Sequence, residues 1–288
     1  MLEKQKFMAE KLQELHKNNK MFVIPNAWDV ASAYIYEKQG FSAVATTSAG
    51  IAYSLGYPDG EKISLEDLVY LTKKIFNRIN IPLSVDFERG YSENIQNVKE
   101  NAEKLVKAGA VGFNIEDGQT DGTLSSVELQ IAKIRALCEL KKELNVDFVI
   151  NARTCAYWLN IGNEETKLKT SIERCNEFKK AGADCIFVPG AIDKETIKKL
   201  VRNIDAPLNI ILNNKFNDFK ELNQIGVRRL SVGSGPVRYI YSKTIELAQN
   251  LYNGCKRTHG LIILYRWFDY FGQLKHEMYC WAGMPNVN

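Results

Sequence analysis

The feature that most constrains the fold of this 288-residue chain is a regular alternation of short apolar segments with longer amphipathic segments. The short segments predict strands at residues 21–25, 42–47, 82–88, 111–117, 148–153, 185–189, 208–213 and 229–233. Each of them is followed by a segment with helical periodicity. Continuous apolar strands separated by helices are typical of a parallel sheet that is covered on both faces. Eight such units therefore predict an α/β fold, the (β/α)8 TIM barrel.

The helical segments support the same count of units. The first is predicted to end near residue 39, and the others cover residues 65–78, 94–108, 126–144, 165–181, 194–202, 216–224 and 237–252. Four of the helices are followed by a glycine, as expected where a helix ends in the left-handed conformation: Gly40, Gly109, Gly182 and Gly226. A doubly wound open sheet is the alternative, but such a sheet seldom contains eight regular units.

The two ends of the chain lie outside the eight units. The N-terminal pattern M-L-E-K-Q-K-F-M-A-E-K-L predicts a charged amphipathic helix. We predict one barrel domain over residues 1–254 and a C-terminal extension over 255–288. The extension contains the aromatic segment L-I-I-L-Y-R-W-F-D-Y-F-G, and we favour its packing on a neighbouring subunit because exposed aromatic surface promotes aggregation. A peripheral membrane contact and a sequence of little functional meaning are the alternatives.

Composition excludes several classes of protein. The net charge of +4 is small and dispersed, which argues against binding to nucleic acid. No apolar run approaches the length that spans a membrane, and the N-terminus has no apolar signal core. The six cysteines show no C-x-x-C spacing, a usage that is typical of reduced thiols. We therefore expect a cytoplasmic protein with no membrane span and no nucleic-acid partner.

The segment P-L-S-V-D-F-E-R-G at residues 82–90 carries the first candidate site. Asp86 and Glu88 are one residue apart at the end of a predicted strand, so period-two alternation places both carboxylates on one face. Like charges this close repel one another unless a cation or a proton lies between them. Mg2+, or Mn2+, bound by oxygen ligands and water is our interpretation. The alternative is a solvated acidic turn with Arg89 as its partner.

The other strand ends supply a second charged pole. Strand ends carry the chemistry of such barrels, and the polar residues there are Asn26, Asp29, Thr46, Thr47, Ser48, Glu116, Asp117, Asn151, Arg153, Asn213, Ser231 and Ser234. The acids cluster on the third and fourth strands, whereas Arg153 stands on the fifth. An arginine can bind a carboxylate or a phosphate in bidentate fashion. A small polyanion, such as an α-keto acid chelated to Mg2+, fits between the two poles.

Histidine is absent from all the predicted strand ends. His16 lies in the N-terminal helix, and His259 and His276 lie near the C-terminus. A zinc site built from histidines and a Ser-His-Asp triad are therefore excluded at the strand ends. Acid–base chemistry falls instead to carboxylates, Arg153, tyrosines or metal-bound water.

From about residue 22 to 252 the chain resembles the isocitrate lyase/phosphoenolpyruvate mutase superfamily. The resemblance is carried by P-N-A-W-D, A-T-T-S-A-G-I-A-Y-S-L-G-Y-P-D-G, S-V-D-F-E-R-G-Y, N-I-E-D-G and N-A-R-T. It implies a barrel that binds Mg2+ and an α-keto or enol carboxylate, in a homodimer or homotetramer. It also implies that Asp86 and Glu88 are the metal carboxylates.

The same resemblance implies roles for further residues. Glu116 matches a residue of the metal or water shell, Asp59 matches an active-site acid near the metal, and Arg153 matches the arginine that contacts the substrate. We therefore predict that these three are catalytic. The predicted substrate-binding residues are Thr46, Thr47, Ser48, Asn151 and Trp28.

The segment after the fourth strand departs from the family pattern. Lyase members carry a loop with a catalytic cysteine there, and mutase and phosphonate-cleaving members generally need a lysine and an asparagine. Here the segment reads E-D-G-Q-T-D-G-T-L-S-S, with neither cysteine nor lysine. Cys155 is a candidate replacement, although a loop thiol without a role is the favoured interpretation. Residues 118–122 are short enough to act as a lid, with glycines as hinges.

These observations predict a Mg2+-dependent enzyme that acts on a small α-keto or 2-hydroxy carboxylate through an enolate. The reaction is expected to break a C–C bond, as in a lyase, decarboxylase or hydrolase. A P–C bond enzyme, of the phosphoenolpyruvate mutase or phosphonopyruvate hydrolase kind, is one alternative. A catalytically silent binding protein on the same barrel is the other.

Overall fold

A computed structural model describes residues 2–258 of the chain. Within that range the strands are β1 Phe22–Ile24, β2 Asn26–Ala27, β3 Val44–Thr46, β4 Leu83–Asp86, β5 Gly112–Glu116, β6 Val149–Arg153, β7 Cys185–Phe187, β8 Leu208–Ile211 and β9 Arg229–Ser231. The helices are α1 Leu2–Lys17, α2 Val30–Lys38, α3 Ser48–Ser54, α4 Leu65–Arg78, α5 Ile95–Ala108, α6 Val127–Leu144, α7 Glu164–Ala181, α8 Lys194–Asn203, α9 Phe219–Ile225 and α10 Gly235–Thr258.

The strands form one parallel sheet in the order β1-β9-β8-β7-β6-β5-β4-β3-β2. β1 lies within the predicted first strand at residues 21–25, and β2 follows beyond that prediction, after an interruption at Pro25, whose nitrogen carries no hydrogen to donate. β1 pairs with β9 and β2 pairs with β3, so this one stretch of chain joins the two edges of the sheet. Ala45 N also donates to Pro25 O at 2.9 Å across the interruption. The (β/α)8 TIM barrel is therefore confirmed.

Several elements differ from the prediction, and the following three differences bear on how the chain folds locally. The sequence did not predict α3, which starts directly after β3 with Thr47 as its N-cap. Helix α9 begins at Phe219 rather than at residue 216, because the Asp218 side chain accepts a hydrogen bond from Glu221 N and caps it there. Strand β4 ends at Asp86, since Glu88 adopts a φ of 49°, which is outside strand conformation.

The glycines predicted after helices do adopt the left-handed conformation. Gly109 shows the strongest requirement, with a φ of 115° at the C-cap of α5. A Cβ atom at this position would lie 2.1 Å from Phe76 of α4, so both the backbone angle and the packing require glycine. This close contact lets α5 end against α4 just before β5.

Helix α1 packs at the N-terminal ends of the strands, as the amphipathic pattern predicted. Leu12 is fully buried, and its Cδ2 lies 2.9 Å from where Gly112 would carry a Cβ atom. Gln5 Nε2 donates to Ala110 O at 3.0 Å. The helix therefore covers the end of the barrel that is opposite to the predicted site.

The chain divides into two compact units between Val237 and Arg238, within α10. The predicted boundary at residue 254 stays a prediction, and the aromatic segment of the predicted extension lies outside the described residues. Across residues 2–258, no helix is long and apolar enough to cross a membrane.

Candidate active site

A pocket of about 210 Å³ opens where the strands of the barrel end. Its volume equals roughly seven water molecules in the liquid, which is enough for a small acid. Seven of the ten predicted site residues line it: Asp59, Asp86, Glu88, Glu116, Arg153, Thr47 and Ser48. These side chains therefore lie at the carboxyl ends of the strands, where TIM barrels carry their active sites.

Asp86 is the last residue of β4 and is fixed by its neighbours. Its backbone N donates to Thr46 Oγ1 at 2.8 Å, and its Oδ2 accepts a hydrogen bond from Ser48 N at 3.2 Å. Asn114 Nδ2 lies 3.5 Å from Asp86 Oδ1. The carboxylate thus reaches the pocket in an orientation set by three strand ends.

Glu88 reaches the same pocket through a turn rather than through strand alternation. Its φ of 49° turns the chain after β4, and its Oε2 accepts a hydrogen bond from Glu61 N at 2.7 Å. Burial, together with the charges of Asp86 and Glu116, raises the pKa of Glu88 to about 9. The protein thus holds several carboxylates closer together than their charges favour.

The fit to Mg2+ can be judged from these oxygen atoms. Among residues 2–258, no group of three or more His, Cys, Asp or Glu side chains is arranged to enclose a metal. Mg2+ is commonly bound by one or two carboxylates, with water and substrate completing its shell. Asp86 and Glu88 fit that mode, because a divalent cation would relieve the repulsion that raises the pKa of Glu88.

Glu116 and Arg153 line the pocket beside these acids, at the ends of the next two strands. They are register partners on β5 and β6, and Arg153 Nη1 lies 2.6 Å from Glu116 Oε2. Burial raises the pKa of Glu116 to about 7, although the Arg153 charge opposes this rise. The guanidinium carbon also lies 5.5 Å from the Trp158 ring centroid and 5.7 Å from that of Phe187. Arg153 is therefore a cation held between an acid and two aromatic rings.

A model of the phosphoenolpyruvate phosphomutase family matches residues 12–252 of the chain. The chain belongs to this family. An uncharacterized protein of Mycobacterium tuberculosis is 35% identical over 223 residues, which cover 77% of this chain and 81% of that protein. The oxaloacetate decarboxylase of Pseudomonas fluorescens is 31% identical over 220 residues, 73% of each chain. The solved structure of oxaloacetate acetylhydrolase with its product oxalate superposes with a TM-score of 0.75 at 25% identity, covering 96% of this chain and 97% of the other.

In this phosphomutase-family chain the other three predicted site residues are not part of the pocket lining. Thr46 is fully buried, with its hydroxyl engaged by Asp86 N. Asn151 lies inside the barrel, where its Nδ2 donates to Asn114 Oδ1 at 2.7 Å. Trp28 lies just ahead of α2, where its N donates to Ser32 Oγ at 3.1 Å. These contacts are supporting ones, so substrate binding by the three residues stays a prediction.

The segment after β5, in which many superfamily members carry their catalytic loop, is held by a backbone bridge in this chain. An isolated bridge pairs Gly118 with Leu124, and Gln119 lines the pocket. Cys155 is buried, and its Sγ lies 2.9 Å from where Gly118 would carry a Cβ atom. Burial also raises the pKa of the Cys155 thiol, so the group stays protonated. The thiol therefore packs under this segment, and Cys155 also lines the pocket next to Arg153.

The remaining strand-end residues divide into pocket and support. Asn26, Ser231 and Ser234 line the pocket. Asn26 also joins the barrel edges, because its Oδ1 accepts hydrogen bonds from Val232 N and Gly233 N at 2.9 and 2.8 Å. By contrast, Asp29 caps α2, Asn213 accepts from backbone N–H groups of its own turn, and Asp117 forms a buried ion pair with Arg174.

Sequence reasoning missed several residues of the site. Asn114 lines the pocket and contacts both Asp86 and Asn151. Its signal was present, because a polar residue two positions before Glu116 on the same strand shares its face. Trp158 and Phe187, which flank Arg153, carried no signal of their own. The contacts of Glu61 with the turn after β4 join distant segments and carried none either.

Proposed function

We propose that this chain is a Mg2+-dependent enzyme that breaks a C–C bond in a small α-keto or 2-hydroxy carboxylate through an enolate. Oxaloacetate is the first candidate substrate, with decarboxylation as the reaction. The observation that carries the proposal is that Asp86, Glu88 and Arg153 line one pocket of about 210 Å³. The two carboxylates suit a hard cation, and the guanidinium suits an anion.

The residues of the pocket have separate tasks in this reaction. Arg153 would bind a substrate carboxylate and stabilise the negative charge that develops as the C–C bond breaks. Asp86 and Glu88 would hold Mg2+, which would supply Lewis-acid chemistry when bound. The electron pair of the broken bond moves into the enolate, and CO2 leaves. Glu116, whose pKa is raised to about 7 by burial, would deliver the proton that turns the enolate into pyruvate.

The segment after β5 favours decarboxylation over cleavage of a larger tricarboxylate. Cleavage of isocitrate needs an acid that reprotonates one face of a carbanion, and residues 116–126 contain no thiol to supply it. The pocket of about 210 Å³ is large enough for a four-carbon acid. The relatives named oxaloacetate decarboxylase and oxaloacetate acetylhydrolase support this substrate class.

A substrate panel tests the proposal. Oxaloacetate, 2,3-dimethylmalate, methylisocitrate and phosphonopyruvate would each be incubated with the protein and Mg2+, and pyruvate, oxalate and glyoxylate would be measured. We expect pyruvate from oxaloacetate above the rate with Mg2+ alone, and loss of that excess in Asp86→Asn. Oxalate with acetate would instead indicate hydrolysis. No excess turnover of any of the four would contradict the proposal.

Two further properties belong to the same proposal. We expect the enzyme to be a homodimer or homotetramer in the cytoplasm, by likeness to the superfamily. Size-exclusion chromatography with light scattering measures the first property directly.

A further inference from the structure

We propose that Glu61 is a positioning residue that holds Asp59 at the pocket. Glu61 and Asp59 both belong to the connection between α3 and α4, residues 55–63, which we name the 55–63 segment. The role of Asp59 in chemistry rests on the proposed function, whereas the anchoring of the segment by Glu61 does not. The described contacts of Glu61 all converge on the turn at residues 88–91, directly after β4.

Glu61 makes four hydrogen bonds with that turn. Its Oε1 accepts from Arg89 N at 2.8 Å and from Tyr91 N at 3.0 Å, and its Oε2 accepts from Arg89 Nη2 at 2.7 Å. In the opposite direction, Glu61 N donates to Glu88 Oε2 at 2.7 Å. The two segments are therefore joined reciprocally, by side chains and backbone N–H groups of both.

The rest of the 55–63 segment is largely exposed. Leu55 and Tyr57 are 48% and 47% exposed, and Asp59 is exposed as well. Tyr57 N bonds back to Ala52 O at 2.8 Å, within the same connection. Ile63 is buried at the far end. Glu61 is thus the side chain that links the part of the segment near Asp59 to the strand ends.

The turn at 88–91 is anchored independently of Glu61. Lys133 of α6 is almost fully buried, and its Nζ donates to Arg89 O at 2.8 Å. Asn101 of α5 donates to Gly90 O through its Nδ2 at 3.1 Å. Because two helices hold the turn, loss of the Glu61 side chain is expected to release the 55–63 segment rather than the turn.

The backbone angles of the connected residues indicate that their conformation is imposed by surrounding contacts. Glu61, Glu88 and Tyr91 have φ values of 57°, 49° and 58°, although none of them is glycine. Such conformations persist where several contacts determine them together, and they cluster at functional sites. Here the three strained residues are those joined by the hydrogen bonds of Glu61.

Hydrogen exchange measured by mass spectrometry tests the anchoring without any substrate. The parent would be compared with Glu61→Ala, Glu61→Gln and the matched control Glu93→Ala, which removes an exposed carboxylate close to the same turn. We expect exchange in peptides covering 55–63 to rise at least tenfold in Glu61→Ala and less in Glu61→Gln, whose amide oxygen still accepts. Glu93→Ala should match the parent. Unchanged exchange at 55–63 in both Glu61 variants would overturn the proposal.

Kinetics separates positioning from a general structural role. With the substrate that the panel identifies, Glu61→Ala should lower kcat with an unchanged melting temperature, and the double variant with Asp59→Ala should be no slower than Asp59→Ala alone. Independent, multiplicative losses would show that Glu61 does not act through Asp59. If the parent turns over nothing, the proposed function fails, and the exchange experiment still decides whether Glu61 anchors the segment.

Discussion

Asp86 and Glu88 reach the same pocket by different routes through the backbone. Asp86 ends β4, whereas Glu88 is turned inward by a positive φ and a hydrogen bond from Glu61 N. The sequence predicted both residues because like charges at this spacing need a cation. It could not predict the turn, because the contact that imposes it comes from a residue 27 positions earlier.

Arg153 carries the prediction that best separates charge from shape. Arg153→Lys keeps the positive charge but removes the planar fork that pairs with a carboxylate. We expect kcat/KM on the identified substrate to fall about 100-fold, the size of losing one oriented donor. Arg202→Lys, on the exposed face of α8, is the matched control. Parent-like kinetics in the Arg153 variant would make this residue a structural partner of Glu116 only.

Cys155 tests whether a thiol replaces the missing loop cysteine. It is buried against Gly118, and burial keeps the thiol protonated. We expect Cys155→Ser to retain turnover of the same order as the parent, because serine has nearly the same volume. Steady-state kinetics and thermal unfolding check this together. Lost turnover with intact folding and Mg2+ binding would assign the acid to Cys155.

At the scale of elements, a buried ion pair joins β5, α7 and the segment between β5 and α6. Arg174 Nε lies 2.7 Å from Asp117 Oδ2, and Arg174 Nη2 donates to Ser125 O at 2.6 Å. Asp117 Oδ1 also accepts from Cys155 N at 2.8 Å. This ion pair thus holds the segment between β5 and α6 at both of its ends. It also holds the start of the loop after β6, at Cys155.

Removing Arg174 should therefore be costly for stability. Arg174→Met leaves the fully buried Asp117 carboxylate without its cation, and breaking such a pair costs about 3–5 kcal/mol. Urea unfolding measures the loss, with Arg202→Met as the exposed control. Restored stability in the double variant with Asp117→Asn would support this cause. A loss below about 1 kcal/mol, as for a surface pair, would contradict it.

The elements differ in how far the sequence could predict them. Strands and long helices followed from periodicity and from glycines such as Gly109, whose left-handed φ no other residue adopts so readily. Helix α3 was missed because S-A-G-I-A-Y-S is too short for a helical period to be recognised. Predicting the interruption at Pro25 would have required the pairing of β1 with β9 and of β2 with β3. Strands β1 and β9 are far apart in the sequence, so the sequence did not reveal this pairing.

At the scale of the whole molecule, the pH dependence of stability should depend on His16. Burial lowers the pKa of His16 to about 3, from an ordinary 6.5, with a further contribution from Arg229. As the pH falls below about 6.5, His16 therefore becomes protonated in the unfolded chain but stays neutral in the folded chain. The stability due to neutral His16 is complete above that pH and is lost as the pH falls toward 3.

This sign predicts a measurable difference between two proteins. Between pH 6.5 and 5, the parent should lose about 2 kcal/mol of unfolding free energy that His16→Gln does not lose. Urea unfolding at several pH values gives both curves. Parallel curves for the parent and the variant would show that another group controls acid stability.

The sequence predicted that the site lies at a set of strand ends. It did not predict which residues support the pocket-lining side chains. Thr46 accepts a hydrogen bond from Asp86 N, and Asn151 donates to Asn114 Oδ1, while the predicted binding of substrate by both residues stays a prediction. The sequence does not reveal whether a polar residue at a strand end lines the pocket or supports a residue that does. The distinction depends on the register of neighbouring strands.

The most direct test of the two-pole pocket is calorimetric binding of oxalate, a planar dianion that resembles the proposed enolate. We predict that oxalate binds only when Mg2+ is present. We also predict that Asp86→Asn weakens Mg2+ binding, and that Arg153→Lys weakens oxalate binding at saturating Mg2+, each at least tenfold. Oxalate binding that is independent of Mg2+, or unchanged in both variants, would contradict the account.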